Sequence, residues 1–360
     1  MPLLSELRSQ ARNAARFGAL WSPGQLLAGA QVPVRRLFSR RGTAGRPLAV
    51  AQYLTYACPE KCSFCNVTHA VEDWQRALKP DDQARLVERL VPWVSTWAIG
   101  GGEPLAYKGL IDHIGRIRSR GGRVFVVTSA GTLDAEKARG LVQAQAITVS
   151  VLGDAATHDA VMGHEGAHER ALAGVERVLS ARDPGATTVT LNCVVDLDNA
   201  HAMRAVAETG RRLGVDTVRF TWLSFLTPAE RATEPHDVTV HEVSPERLAG
   251  FDAEGVLRES AALEREYGDL IQFQPQLSPT ERARWFTPGG GVTRGCLSLW
   301  HTIFLRPDAS MVPCGHLFSE PVGNALTDDP TEGWNAPRLR QTRLDQRRAP
   351  FVVCRRCCKV

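Results

Sequence analysis

Three closely spaced cysteines are the residues of this chain whose types and spacing most directly indicate a chemistry. Cys58, Cys62 and Cys65 have the spacing Cys-x3-Cys-x2-Cys and follow an apolar run over residues 48–54 that predicts a buried strand. Three thiolates packed this closely cannot all pair as disulfides, but they can hold three corners of an iron–sulfur cube. A cube of four irons with three protein ligands leaves one iron open to a further ligand. A zinc site is the alternative, although zinc sites usually show paired Cys-x2-Cys elements.

An alternation of apolar runs and amphipathic segments over residues 47–226 predicts the elements that position this cysteine loop. The predicted strands cover residues 48–54, 96–99, 123–128, 147–151, 188–195 and 217–220. The predicted helices cover residues 80–91, 110–120, 134–144, 168–181 and 200–213. Six β–α units predict an α/β fold with a parallel sheet wrapped by helices and with ligand loops at the carboxyl ends of the strands.

The cysteine spacing, Phe64 directly before the last cysteine and the preceding strand resemble the radical S-adenosylmethionine (SAM) superfamily. Cores of that superfamily are partial (β/α)6 barrels of the TIM type, so the resemblance implies this architecture for residues 47–226. It implies that Cys58, Cys62 and Cys65 hold a [4Fe–4S] cluster whose open iron chelates the amino and carboxylate groups of SAM. It also implies an external one-electron reductant, such as flavodoxin or ferredoxin, and reductive cleavage of SAM to a 5′-deoxyadenosyl radical that abstracts a substrate hydrogen.

The resemblance also implies cofactor contacts in the loops that follow the predicted strands. The candidate SAM-binding residues are Phe64, Gly101, Gly102, Glu103, Pro104, Ser129, Ser150 and Asn192. The stretch around Glu103 is implied to take the SAM amino group, since glycines let a backbone approach a ligand closely. Phe64 is implied to lie against adenine. Ser150 is a candidate for the SAM carboxylate and Asn192 for the ribose or carboxylate, and each could equally be a hydrogen-bonded core residue.

The carboxyl end of the chain carries a second group of cysteines. Cys296 and Cys314, with seventeen residues between them, flank a predicted β-hairpin, and Cys354 and Cys357 form a Cys-x2-Cys pair. This arrangement resembles the SPASM, or shortened "twitch", domain, and it implies that these four residues hold an auxiliary [4Fe–4S] cluster. Cys358 is the alternative fourth ligand, and a structural zinc with four thiolates is the alternative metal. A cluster with four protein ligands is expected to accept an electron from the substrate radical.

Residues 1–46 form a basic helical segment that stands apart from the core pattern. It contains eight arginines and a single acid, Glu6. Apolar residues at helical spacing predict a first helix near the start, and Ser22 followed by Pro23 predicts the start of a second. One interpretation is a helical pair packed over the main domain with a solvated basic face. The other is an arginine-rich surface that meets an anionic membrane or an acidic substrate.

The boundaries expected from these patterns divide the chain into four segments. They are the basic segment 1–46, the core 47–226, a bridging or substrate-side segment 227–290 and an auxiliary-cluster domain 291–360. The bridging segment is rich in proline, with residues 256–267 predicted to be helical. Its stretch 272–286 is expected either to border a substrate cavity or to connect two domains without a ligand role.

Composition and charge exclude several classes of protein. A net charge of +4 over 360 residues is too small to indicate a nucleic-acid partner, and no apolar run is long enough to cross a bilayer. Since no signal-peptide pattern is present, we expect a cytoplasmic protein, in which nine cysteines indicate metal before disulfides. The expected function is oxidative radical modification of a peptide or small molecule. A lipid or membrane-associated substrate and a non-enzymatic iron–sulfur electron carrier are the alternatives.

Overall fold

One ten-stranded, mostly parallel sheet organises the molecule. A computed structural model of the chain describes residues 23–65, 67, 77–293 and 295–359. The strands are β1 (Ala49–Thr55), β2 (Thr96–Gly101), β3 (Arg123–Thr128), β4 (Ala146–Ser150), β5 (Thr188–Val195), β6 (Thr217–Trp222), β7 (Phe225–Leu226), β8 (His241–Glu242), β9 (Ile271–Gln274), β10 (Thr302–Leu305), β11 (Ser310–Val312) and β12 (Gly323–Asn324). The large sheet has the order β12-β11-β10-β1-β2-β3-β4-β5-β6-β9, and β7 pairs with β8 apart from it.

Helices connect the consecutive parallel strands. The helices are α1 (Pro23–Phe38), α2 (Pro80–Leu90), α3 (Leu110–Ser119), α4 (Ala135–Leu141), α5 (Ala155–Met162), α6 (Ala167–Ala181), α7 (Met203–Leu213), α8 (Pro228–Thr233), α9 (Pro245–Ala249), α10 (Ala253–Tyr267), α11 (Pro279–Trp285), α12 (Ser298–His301), α13 (Pro330–Trp334) and α14 (Pro337–Arg348). The strands β1 to β6 are neighbours in chain order, and right-handed crossovers place their connecting helices on one face of the sheet. The predicted α/β architecture of six β–α units is therefore confirmed, and the six strands begin and end within two residues of the predicted limits.

The two faces of the sheet differ in burial. On β1, Val50 and Leu54 are fully buried against the helices, whereas Ala51 and Tyr53 on the opposite face are only partly buried. On β3, Val127 lies in the middle of the sheet and is nevertheless 46% exposed. The face away from the helices is therefore accessible to solvent, and it forms the lumen of a partial barrel.

Two further parallel strands extend the predicted six-stranded sheet. The predicted hairpin is present as β10 and β11, but β10 also pairs in parallel with β1, so the hairpin continues the core sheet. At the other edge β9 pairs in parallel with β6. The sequence Ile271-Gln-Phe-Gln did not predict a strand because it is short and half polar, and its two glutamines face the lumen.

The basic segment packs against the carboxyl-terminal helices. The predicted helix after Ser22 is present as α1, whereas the predicted first helix lies outside the described residues. Arg347 on α14 donates hydrogen bonds to the carbonyls of Arg36 and Ser39 at the end of α1, at 2.7 and 2.8 Å. Trp334 donates to the carbonyl of Gly45 at 2.6 Å. Among the described helices, none has the length and apolar character needed to span a bilayer.

Candidate active site

The cysteine loop after β1 is pinned to the end of α5. The backbone N–H of Lys61 donates to the Met162 carbonyl at 3.0 Å, and that of Ser63 donates to the Val161 carbonyl at 2.9 Å. The loop closes on itself where the Cys65 N–H donates to the Cys62 carbonyl at 3.0 Å. Cys58, Cys62 and Cys65 remain half-buried on this loop. The fold thus brings the three predicted ligands together at the carboxyl end of β1, where the barrel opens.

The surroundings of these thiols suit thiolates that are paired with a metal. Burial raises the pKa of Cys58 to about 11 and that of Cys62 to about 12, and the neighbouring Cys65 raises both further. In this environment the thiols would stay protonated without a local positive charge. An iron–sulfur cluster supplies that charge, because coordination to a metal deprotonates a thiol outright. The donor set therefore fits the implied cluster.

The glycine loop after β2 approaches the stem of the cysteine loop closely. The Gly102 N–H donates to the Thr55 carbonyl at 2.7 Å, and the Glu103 N–H donates to the Ala57 carbonyl at 2.9 Å. Gly101 has φ +122°, and a Cβ at Gly102 would lie only 2.4 Å from the Ala57 carbonyl oxygen. Only glycine permits this contact at both positions. The glycines thus bring two predicted cofactor loops against each other.

The buried carboxylate of Glu103 is saturated by hydrogen bonds from within the chain. Its Oε1 accepts from Thr128 Oγ1 at 2.6 Å and from the Leu105 N–H at 2.9 Å. Its Oε2 accepts from the N–H and the hydroxyl of Ser129, at 2.6 and 2.8 Å. Two residues predicted as separate cofactor contacts, Glu103 and Ser129, therefore bind each other. Their bonds lock the β2 loop to the β3 loop, and sequence reasoning missed the part played by Thr128.

Ser150 and Asn192 lie side by side on the lumen face. They are register partners on β4 and β5, and Asn192 Oδ1 accepts a hydrogen bond from Thr221 Oγ1 on β6 at 2.8 Å. Phe64 is half-buried and packs beside Met162, while Pro104 is buried at the start of a short 3-10 turn. All these predicted residues lie on β4, on β5 or in the loops after β1 and β2.

The tail cysteines converge below the barrel edge. Burial raises the pKa of Cys354 well above its ordinary value, and the neighbouring Cys296, Cys357 and Cys314 raise it further. The Ser298 N–H donates to Cys296 Sγ at 3.3 Å, and the Lys359 N–H donates to Cys357 Sγ at 3.4 Å. Amide bonds to sulfur are among the features that tune iron–sulfur clusters, so these donors fit the implied auxiliary cluster.

Neither cysteine group forms a site for a single ion. Within the described ranges, no three His, Cys, Asp or Glu side chains converge as they would around one metal ion. A cubane is held differently, because each thiolate binds its own corner of a four-iron body.

Family models match both regions of the chain. A model of the radical SAM superfamily matches residues 53–210, and a SPASM model, described as an iron–sulfur cluster-binding domain, matches residues 296–358. Together they cover more than half of the 360 residues. The chain belongs to the radical SAM superfamily.

Individual relatives and solved structures agree with this assignment. The chain is 29% identical to the PqqA peptide cyclase of Rhodopseudomonas palustris, over 58% of this chain and 58% of the cyclase. It is 26% identical to the AdoMet-dependent heme synthase of Methanosarcina barkeri, over 82% of this chain and 85% of the synthase. The crystal structure of Streptococcus suis SuiB bound to precursor peptide SuiA superposes with a TM-score of 0.63, at 15% identity, over 89% of this chain and 72% of SuiB. A structure of anSMEcpe with bound AdoMet and a Kp18Cys peptide gives a TM-score of 0.57, at 15% identity, over 80% of each chain. These two structures share the fold.

Arg356 is a SPASM-domain residue whose role the sequence did not predict. It lies between Cys354 and Cys357 and is 1% exposed. Its guanidinium pairs with the buried Glu230 carboxylate at 2.7 Å and donates to the Trp285 carbonyl at 2.6 Å. Burial alone would raise the pKa of Glu230, but the bonds from Arg356 and from the Thr227 N–H outweigh it and lower that pKa. This ion pair fixes the Cys-x2-Cys turn to the segment that follows the radical SAM core.

Tyr53 is a lumen residue that links the two cysteine groups. A Cβ at Gly315 would lie 3.0 Å from Tyr53 Oη, and the Tyr53 and Phe318 rings are 4.6 Å apart. Burial raises the pKa of Tyr53, and the neighbouring Cys358, Cys314 and Cys65 raise it further. Tyr53 therefore lies close both to the radical SAM loop and to the SPASM domain.

Proposed function

We propose that this chain is a radical SAM enzyme that cleaves SAM reductively and oxidises a peptide or small-molecule substrate in the barrel lumen. The observation that carries the proposal is the position of Tyr53, which has Cys65 of the radical SAM loop and Cys314 of the SPASM domain among its neighbours. Both proposed clusters therefore lie near the same lumen residue. In the proposed arrangement Cys58, Cys62 and Cys65 bind the SAM cluster.

The mutual proximity of the tail cysteines supports the proposed auxiliary ligands. The proposed auxiliary ligands are Cys296, Cys314, Cys354 and Cys357, supported by the mutual effect of these thiols on the pKa of Cys354. Cys357, and not Cys358, is among the thiols that raise the pKa of Cys354, which supports Cys357 as the fourth ligand; Cys358 is hydrogen-bonded to Cys357 and stays the alternative. When bound, the two clusters and SAM supply one-electron transfer and a 5′-deoxyadenosyl radical; the chain orients them and keeps water from the radical.

Several proposed contacts lie around SAM. Since the Glu103 carboxylate is already saturated, we propose that the backbone carbonyls of the glycine loop take the SAM amino group and that Glu103 holds them in place. Ser150 and Asn192 are proposed to face the ribose or carboxylate, and Phe64 and Pro104 to border the adenine. Flavodoxin or ferredoxin is the proposed source of the electron.

The names of relatives support a peptide as the first substrate to test. The R. palustris relative is a peptide cyclase, and the SuiB structure holds a precursor peptide. A small molecule is the second choice, since other relatives are named heme synthase and GTP 3′,8-cyclase. Short peptides encoded beside the gene are therefore the first candidates, and loss of two hydrogen atoms in mass is the expected product signature.

Anaerobic assay of the reconstituted protein tests the proposal. Addition of SAM and a low-potential reductant should release methionine and 5′-deoxyadenosine in equal amounts. A non-enzymatic electron carrier would be reduced and reoxidised without releasing either compound. Clusters at full occupancy without SAM cleavage would overturn the proposed function.

A lipid or membrane-associated substrate is a second candidate, favoured by an exposed apolar surface on α1. Val34, Leu37 and Phe38 are 55%, 46% and 76% exposed, and the arginines Arg35 and Arg40 beside them are also exposed. Apolar side chains flanked by cations suit the surface of an anionic bilayer.

Vesicle binding tests this second candidate. A Leu37→Ser, Phe38→Ser variant, and a variant without residues 1–40, should bind vesicles containing phosphatidylserine less tightly while retaining SAM cleavage. Vesicles of phosphatidylcholine alone are the control for charge. Equal binding by the variants and the wild type would eliminate the membrane contact.

A further inference from the structure

A row of polar side chains crosses the lumen face of the barrel. Ser150, Asn192, Arg219 and Gln272 are register partners on β4, β5, β6 and β9. Each is only partly buried, whereas the alternate residues of the same strands pack against the helices. Arg219 is the charged member of this row, and its three register partners are neutral.

Partly buried Arg219 differs from the fully buried Arg343 and Arg356. The Arg343 guanidinium donates to the carbonyls of Leu299 and Trp334, at 2.7 and 2.8 Å, and Arg356 is paired with Glu230. Arg219 has neither a hydrogen bond nor an ion pair with any described residue. Burial lowers its pKa while the neighbouring Cys358 raises it, but an arginine keeps its proton in proteins.

A partly buried guanidinium without a counter-ion has lost part of its hydration, and a bound anion would compensate that loss. The lumen-facing side chains beside Arg219 on β5, β6 and β9 are polar and uncharged. Thr221 binds Asn192 at 2.8 Å, and Gln274 donates to the Cys358 carbonyl at 3.1 Å. A ligand with a negative charge would balance the positive charge of Arg219. A planar carboxylate matches the two parallel N–H groups of a guanidinium.

We infer that Arg219 binds a carboxylate of the ligand held in the barrel. The inference rests on the proposed function, because it assigns a feature of the molecule bound at that site. The carboxylate has two sources, the amino-acid part of SAM and the substrate. A substrate carboxylate would belong to a peptide chain end, an acidic side chain or a small organic acid.

The test uses the anaerobically reconstituted full chain as wild type, Arg219→Gln and Arg219→Lys. Arg258→Gln, which removes the same charge from the exposed face of α10, is the matched control. The first arm measures SAM affinity by calorimetry. The second arm measures, at saturating SAM, the rise in melting temperature caused by hippurate and by its neutral amide, hippuramide.

If the substrate supplies the carboxylate, hippurate should stabilise the wild type more than hippuramide does. This preference should vanish in Arg219→Gln, survive in part in Arg219→Lys and be unchanged in the control, with SAM affinity equal in all four proteins. If SAM supplies the carboxylate instead, SAM affinity should fall at least tenfold in Arg219→Gln and recover in part in Arg219→Lys.

Two results would overturn the inference. One is a SAM affinity that is the same in Arg219→Gln and in the wild type, together with no preference of the wild type for hippurate over hippuramide. The other is the same hippurate preference and SAM affinity in all four proteins. Failure of the proposed function would appear separately, as no 5′-deoxyadenosine from the wild type.

Discussion

The two cysteine groups of this molecule are built in different ways. Cys58, Cys62 and Cys65 lie half-buried on one loop, which is held by backbone hydrogen bonds to the end of α5. The SPASM cysteines come from three separate segments, two of them with backbone amides aimed at sulfur and one turn anchored by a buried ion pair. A loop with one open side suits a site that exchanges a ligand. An enclosed site assembled from distant segments suits a centre that only changes charge.

The largest expected effect, on both SAM cleavage and iron content, comes from removing the three cysteines of the loop after β1. Replacing Cys58, Cys62 and Cys65 together with alanine should abolish SAM cleavage and remove about four irons per chain, one cubane's content. Iron assay and chromatography of 5′-deoxyadenosine measure the two outcomes. Cys193→Ala removes a fully buried thiol of β5 that lies in neither group, and it should leave both values unchanged. Continued SAM cleavage by the triple variant would contradict the assignment of these ligands.

Removing the SPASM cysteines should separate SAM cleavage from substrate turnover. The intact protein should hold about eight irons and little zinc, and a Cys314→Ala, Cys354→Ala variant should hold about four. SAM cleavage without substrate should persist, whereas substrate turnover should fail because the substrate radical has lost its electron acceptor. Cys358→Ala is the matched control and should keep all of the iron. Four irons plus one zinc in the wild type would instead identify the tail as a structural zinc site.

Breaking the buried ion pair between Arg356 and Glu230 should have a smaller effect, a loss of stability specific to the SPASM domain. Arg356→Met leaves Glu230 charged and unpaired, which should cost about 3–5 kcal/mol of stability. Thermal unfolding followed by circular dichroism should show the loss, and adding Glu230→Gln should restore part of it. Arg338→Met, which breaks a half-exposed pair with Glu320, should cost less than about 1 kcal/mol. Equal losses from Arg356→Met and Arg338→Met would show that the tail does not depend on this anchor.

The smallest effect concerns the link between the loops after β2 and β3. Glu103→Gln places an amide where the Ser129 N–H and hydroxyl now donate, and such charge-assisted bonds contribute about 1.5–3 kcal/mol. SAM affinity, measured by calorimetry, should therefore fall about tenfold. Glu136→Gln on the exposed start of α4 should leave it unchanged. An unaltered affinity in Glu103→Gln would remove this link from the SAM site.

The sequence predicted the radical SAM core well because the local patterns there all indicate the same alternation of strands and helices. The strands β1 to β6 carry apolar runs that are bounded by helices, and the cysteine and glycine motifs lie at strand ends. Helix α5 was not predicted, since its sequence Ala-Ala-Thr-His-Asp-Ala-Val-Met buries only His158, Val161 and Met162. Strand β9 was missed because half of its residues face a wet lumen.

Other features of the site depend on contacts between residues far apart in the sequence. Nothing local indicates that Arg356 pairs with Glu230, or that Glu103 binds Thr128 and Ser129, until the fold brings them together. Arg219 is likewise an ordinary arginine in the sequence. Its lack of a partner among the described residues is visible only when its neighbours on β5 and β9 are known.

The parallel pairing of β10 with β1 also sets the order in which this chain can fold. Thr302 pairs with Ala49, so roughly 250 residues must be synthesised before β1 acquires its second neighbour, and contacts this distant slow folding. Until then β1 presents an open edge, which can pair with other chains. We therefore expect chains whose translation stops before Leu305 to aggregate on overexpression, because the edge of β1 stays open in them.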